Sequence, residues 1–187
     1  MSTNEIKAKI DAKLEDFRKK KEALLAEIQE EFPKMFEELF ERSEIIESVS
    51  WTQFTDYFND GDECTFSAHL DLDYYCEVNG ERLDDIDEDH PLNVLNDEVY
   101  GTITEENYHL HKRYSEKHSW CTLTNIGGRG HMKNINYNPE EREILENIIE
   151  AISSLGDDFL KDLFGDHKRI TIKTDGTIKV ENFTDHD

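Results

Sequence analysis

Cys64-Thr-Phe-Ser-Ala-His-Leu-Asp-Leu-Asp-Tyr-Tyr-Cys-Glu-Val78, followed by Asn79-Gly80, decides how the fold is read. Apolar and polar residues alternate through it, which sets Phe66, Ala68, Leu70 and Leu72 on one face of a strand and Thr65, Ser67, His69, Asp71 and Asp73 on the other. One face for a core and one for solvent is the pattern of an antiparallel sheet. Asn79-Gly80 is the dipeptide favoured for a two-residue hairpin turn, because both residues hold positive φ at low cost. The strand is expected to turn back there. Just upstream, Trp51-Thr-Gln-Phe-Thr-Asp-Tyr-Phe58 is aromatic and β-branched and reads as a core-forming strand or turn.

Toward the N-terminus, Ile6, Ile10, Leu14, Phe17, Leu24 and Ile28 recur at spacings of three and four, interrupted at Lys21. That is an amphipathic helix with a coiled-coil-like seam, suited either to association with another chain or to packing on its own domain. It should reach Glu31. Pro33 then suits the first turn of a second helix, set at an angle and carrying Met35, Phe36, Leu39, Phe40 and Ile45.

Toward the C-terminus, Asp84 to Glu98 reads as an acidic loop, and Thr104-Glu105-Glu106 as a cap before Tyr108, His111 and Tyr114 at helical spacing. Trp120 to Ile126 reads as a short strand, and Gly127-Gly128-Arg129-Gly130-His131 as a mobile loop. Asn138-Pro139 opens a core helix with Ile144, Leu145, Ile148, Ile149, Ile152 and Leu155, stopped at Gly156. Phe159, Leu160, Leu163 and Phe164 make another helix, stopped at Gly165, and Ile170, Ile172, Ile178 and Val180 flank Thr174-Asp175-Gly176-Thr177 as a closing β-hairpin. The order α, β, α, β predicts an α+β fold: a long N-terminal helix or helix pair, an antiparallel sheet with packed helices, and a C-terminal hairpin. Residues 1–48 are expected to form a helical appendage and 49–187 the α+β domain.

Lys and Arg number 21 against 44 Asp and Glu, a formal net charge of -23 on 187 residues. Such a surface repels nucleic acid and anionic membranes and favours basic protein surfaces or cations. The charge is uneven. The start is locally basic, with Lys7, Lys9, Lys13, Arg18, Lys19, Lys20 and Lys21, whereas Arg82 is the only Lys or Arg between Asp56 and Glu106. Within that acidic span, Asp84, Asp85, Asp87, Glu88 and Asp89 are the candidate partner-binding residues. Cys64, Cys76 and Cys121 are odd in number and lack C-x-x-C spacing, which points to reduced thiols in a reducing compartment. With neither a signal-peptide pattern nor an apolar run of membrane-spanning length, a cytoplasmic location is expected.

Candidate chemistry lies in two places. Phe58-Asn-Asp60-Gly-Asp62-Glu-Cys64 could place the oxygens of Asp60 and Asp62 around magnesium, manganese or calcium, although the same string also reads as a turn whose Asp and Asn side chains bond local amides. His69, Asp71 and Asp73, at period-two positions, could present one nitrogen and two carboxylates to a metal; a solvated strand face has the same pattern. His167, beside Asp166, could add a ligand or a general base, and Asp185-His186-Asp187 repeats the pairing. There is no G-x-S-x-G, H-E-x-x-H or P-loop.

Trp51-Thr-Gln-Phe-Thr-Asp-Tyr-Phe-Asn-Asp-Gly-Asp62, with Cys64 and Phe66, together with Phe164-Gly-Asp-His167 through Asp175-Gly176 to Asp185-His-Asp187, resembles a family of small proteins of bacteria and their phages that has no settled activity. Asp56 stands where that family has proline. The resemblance implies that the two blocks belong together, which would bring the turn at Asp60 and the two Asp-His pairs into one neighbourhood. It implies no reaction.

The expected function is therefore that of an acidic interaction factor, a phage or bacterial accessory protein that binds a basic protein surface and associates through its N-terminal helix. One variant is mimicry of DNA charge toward a nucleic-acid-binding protein, without direct contact to nucleic acid. The alternative is a divalent-metal-dependent hydrolase or phosphoesterase using Asp60, Asp62, His69, Asp71, Asp73 and His167.

Overall fold

In chain order, α1 (Thr3–Glu31) leads through a 3-10 turn (Phe32–Phe36) into α2 (Glu37–Arg42), β1 (Ser48–Thr55), β2 (Phe66–His69), β3 (Glu77–Val78) and β4 (Glu81–Arg82). A second 3-10 turn (Pro91–Leu95) precedes β5 (Glu98–Ile103), β6 (Cys121–Ile126) and β7 (Arg129–Asn134). Then follow α3 (Pro139–Ser153), α4 (Asp157–Phe164), β8 (Lys168–Lys173) and β9 (Ile178–Asn182). This is a computed structural model, and it describes residues 2–57, 61, 63–86, 90–96, 98–103, 121–126, 129–134 and 136–184, with the backbone alone at 98–103, 121–126 and 129–133.

The architecture is α+β. β1 is the centre of the main antiparallel sheet, in the order β4-β3-β1-β8-β9, and β2 also pairs with β1. β8 runs the length of one edge of β1, from Ser48 opposite Lys173 to Gln53 opposite Lys168. β2 and β3 share the other edge: His69 faces Thr52, and Glu77 faces Ser50. β5, β7 and β6 form a separate three-stranded sheet, tied to the second 3-10 turn where the Asn134 amide donates to the carbonyls of Asn93 (2.7 Å) and Asn96 (3.0 Å).

Alternation along β1 divides its side chains between two faces. Val49, Trp51 and Gln53 are buried toward the helices, with Ile170 and Ile172 of β8 beside them. Trp51 meets Phe32 at 6.1 Å and Phe164 at 5.8 Å between ring centroids, and Phe32 stands edge-on to Phe164 at 5.2 Å. These three rings join the 3-10 turn, the sheet and α4, and Leu39, Leu145, Ile152 and Leu160 complete the layer. Phe32, Phe36 and Leu39 thus belong to the same core as Trp51, so the division expected at residue 48 is not drawn by the packing.

Local signals hold at the hairpins and caps. Asn79 (φ 55) and Gly80 (φ 85) make the two-residue turn between β3 and β4, and Asn138 caps α3 by accepting from the Glu141 amide. β8 and β9 form the C-terminal hairpin around Gly176. Two expectations are corrected. The strand read from Cys64 to Val78 ends at His69, because Asp71 caps a single helical turn: its carboxylate accepts from the amides of Asp73 (3.0 Å) and Tyr74 (3.1 Å), and its carbonyl from those of Tyr75 and Cys76. Leu72 and Cys76, four apart, anchor that turn in the core. The loop expected at residues 127–131 is in part the start of β7, paired to β6 from Arg129 opposite Ile126. The helix expected around Tyr108, His111 and Tyr114 lies outside the described residues.

Candidate functional site

The described parts of the two sequence blocks lie side by side. α4 ends at Gly165, whose φ of 93° lets the chain reverse, and Asp166 then points back at the end of β1. Its carboxylate accepts from the Thr55 amide (2.9 Å), the Thr55 hydroxyl (2.7 Å) and the His167 amide (2.9 Å), and pairs with Lys161 at 2.8 Å. Burial pushes this carboxyl up, but the hydrogen bonds from Lys161 and Thr55 outweigh it and hold Asp166 at about 2. Beside it, the fully buried Gln53 amide donates to the carbonyls of Leu160 (3.0 Å) and Gly165 (2.6 Å). Thr55, Lys161 and Gln53 were not singled out from sequence as site residues, since nothing local marks a partner more than a hundred residues away.

The opposite face of the sheet carries a file of rings. His167 has φ 55, and its ring lies 4.8 Å from Tyr57 and 6.4 Å from Phe54. Phe54 stacks on His69 at 4.4 Å, His69 meets Tyr75 at 4.9 Å, and Phe183 closes on Phe54 at 5.4 Å. A groove of about 240 Å³ runs along this file between Phe54, His69 and Tyr75, with Glu77 and Arg169 paired at 2.7 Å on its wall. Nε2 of His69 and Nδ1 of His167 are buried and find no hydrogen-bond partner among the described residues.

Of the residues expected to hold a metal, Asp60 and Asp62 lie outside the described residues. His69 and His167 flank Phe54, whereas Asp71 is occupied in capping its turn and Asp73 pairs with Arg142 at 2.9 Å. His69, Asp71 and Asp73 therefore share no strand face, because the alternation that would align them stops at the Asp71 turn. Among the described residues, no three His, Cys, Asp or Glu side chains stand together in a way that could hold a metal ion.

The expected partner-binding stretch is described only at Asp84 and Asp85, both engaged by Arg82 at 3.4 and 2.7 Å; Asp87, Glu88 and Asp89 lie outside the described residues. A larger acidic surface lies on the helices. Glu41 of α2, Glu140, Glu143 and Glu150 of α3, and Asp158 of α4 are exposed and make no ion pair among the described residues. The basic side chains of these helices and of the 3-10 turn before them are each taken by a carboxylate: Lys34 by Glu31, Arg42 by Glu38, Arg142 by Asp73 and Glu146, and Lys161 by Asp166.

α1 has a capping box at Ser2 and Glu5, and every residue from Ser2 to Leu24 is exposed. Leu25 and Ile28 touch the core, Lys21 pairs with Asp162 at 2.6 Å, and the Gln29 amide donates to the Leu163 carbonyl. Ile6, Ile10, Leu14, Phe17 and Leu24 remain 45 to 64% exposed. Among the described residues no helix is long and apolar enough to cross a membrane. The chain has no significant match to a protein-family model, a curated protein or a solved structure.

Proposed function

We propose that this protein is an acidic interaction factor, an accessory protein of a bacterium or phage that engages a basic protein surface through its helical layer. The observation that carries this is the set of exposed carboxylates on α2, α3 and α4, with each basic side chain of those helices already neutralised by a neighbour. The Arg42–Glu38 pair is exposed and contributes little to stability, whereas Arg142 and Lys161 are partly buried; all of these pairings leave the layer negative. Carboxylates ordered on rigid helices attract a cationic partner at long range and keep nucleic acid away, which also suits mimicry of DNA charge toward a nucleic-acid-binding protein. In this reading the factor works in a reducing cytoplasm, and α1 is an association element rather than the site for the basic partner.

The test is capture of partners from bacterial lysate at low and moderate salt, comparing the native chain with a variant carrying Glu140→Gln, Glu143→Gln and Glu150→Gln. A basic protein held by the native chain and lost both from the variant and on adding salt supports the assignment. Capture indifferent to both changes would overturn it.

A further inference from the structure

We infer that two copies of this chain pair through α1 in antiparallel orientation, along the stripe Ile6, Ile10, Leu14, Phe17 and Leu24. At 1.5 Å per residue, the 29 residues of α1 span about 44 Å, and among the described residues it is the last turns that rest on the body. The spacing of Ile10, Leu14, Phe17 and Lys21 continues into Leu25 and Ile28, so the helix presents one continuous face. That face meets α4 and the core at its base, and further out its apolar side chains stay exposed. Lys21, which interrupts the seam in the sequence, turns onto Asp162 of its own body.

Charge points to a second copy as the occupant and sets its direction. Residues 1–21 hold seven Lys and Arg against four Asp and Glu, leaving 14 against 40 for the rest of the chain. Within α1, residues 22–31 hold Glu22, Glu27, Glu30 and Glu31 and no cation, and the adjoining α4 adds exposed Asp157, Asp158 and Asp162. Parallel pairing would lay basic tip on basic tip. Antiparallel pairing lays the Lys7, Lys9 and Lys13 tip of each copy along the acidic base of the other, while the two stripes cover one another. The chain is self-complementary in this one direction.

Sedimentation equilibrium of the full chain over a range of concentrations should give a dimer. Leu14→Glu with Phe17→Glu changes only exposed side chains, so it should leave the near-ultraviolet circular dichroism unchanged and weaken the dimer at least tenfold. Direction is read by zero-length carbodiimide cross-linking of a mixture of isotopically light and heavy copies. Within one helix, Lys7, Lys9 and Lys13 lie more than about 20 Å from Glu27, Glu30 and Glu31, so links between these groups report the antiparallel pair. A monomer at every concentration, or a dimer indifferent to the double variant, would overturn the interface. Mixed-isotope links from tip to tip would overturn the direction.

Discussion

Thr55 and Asp166, 111 residues apart, are joined by two hydrogen bonds, the Thr55 amide to one carboxylate oxygen at 2.9 Å and its hydroxyl to the other at 2.7 Å. The pair fastens the exit of α4 to the end of the central strand, and Lys161 sits close enough to serve both partners, at 2.8 Å from the carboxylate and 3.2 Å from the hydroxyl.

This clasp makes stability depend on acid. The Asp166 carboxyl is held at about 2 in the fold, below its ordinary 3.8, so its contribution is fully present above pH 4. As pH falls from 4 toward 2, the unfolded chain takes up the proton first and that contribution disappears. Asp166→Asn should cost about 2 kcal/mol in urea unfolding at pH 7, and the gap to the native chain should narrow to near zero by pH 2. A gap that stays constant with pH would show that charge on Asp166 is not what holds the clasp.

Gln53 is buried and its amide serves two carbonyls. Gln53→Leu keeps much of the volume and removes the donor to the Gly165 carbonyl, and with it the oxygen that accepts from the Trp51 indole N–H at 3.4 Å. Denaturant unfolding should show a loss of about 2 kcal/mol, with faster amide exchange at the end of α4. A loss below about 0.5 kcal/mol would mean that the carbonyls reach water instead.

His69 lies between Phe54 and Tyr75 with Nε2 buried and unpartnered among the described residues. Replacing it by Phe preserves the ring and removes a desolvated polar atom, so His69→Phe is expected to raise stability by up to about 1 kcal/mol. Destabilisation on thermal unfolding would show that the nitrogen is engaged, and would redirect attention to the groove.

Cys76 is fully buried at the base of the Asp71 turn, and burial, with Asp71 and Glu77 adding, pushes its thiol up to about 12. Cys64 is partly exposed. Iodoacetamide at pH 8 followed by peptide mass mapping should therefore modify Cys64 in the native protein and reach Cys76 only after unfolding. Native labelling of Cys76 would mean that the turn opens readily.

Several elements could be read from neighbouring residues alone. Asn138 and Pro139 announce the start of α3, and Asn79-Gly80 its hairpin, because each depends on bonds a few residues long. The stretch after His69 misled for a related reason. Leu70 and Leu72 prolong a period of two, while the opposing signal, Asp71 as a cap with Leu72 and Cys76 four apart, is just as local and prevailed because it buries both side chains.

The sequence by itself determined the α+β class, the amphipathic helix at the start and the acidic excess, since composition and periodicity express them residue by residue. Only the tertiary structure decided that Thr55 meets Asp166, that His69 and His167 flank Phe54, that Asp71 and Asp73 part, and that the α1 stripe stays exposed. Those relations come from strand register and chain reversal across long separations, where no short-range preference of the residues specifies the partner.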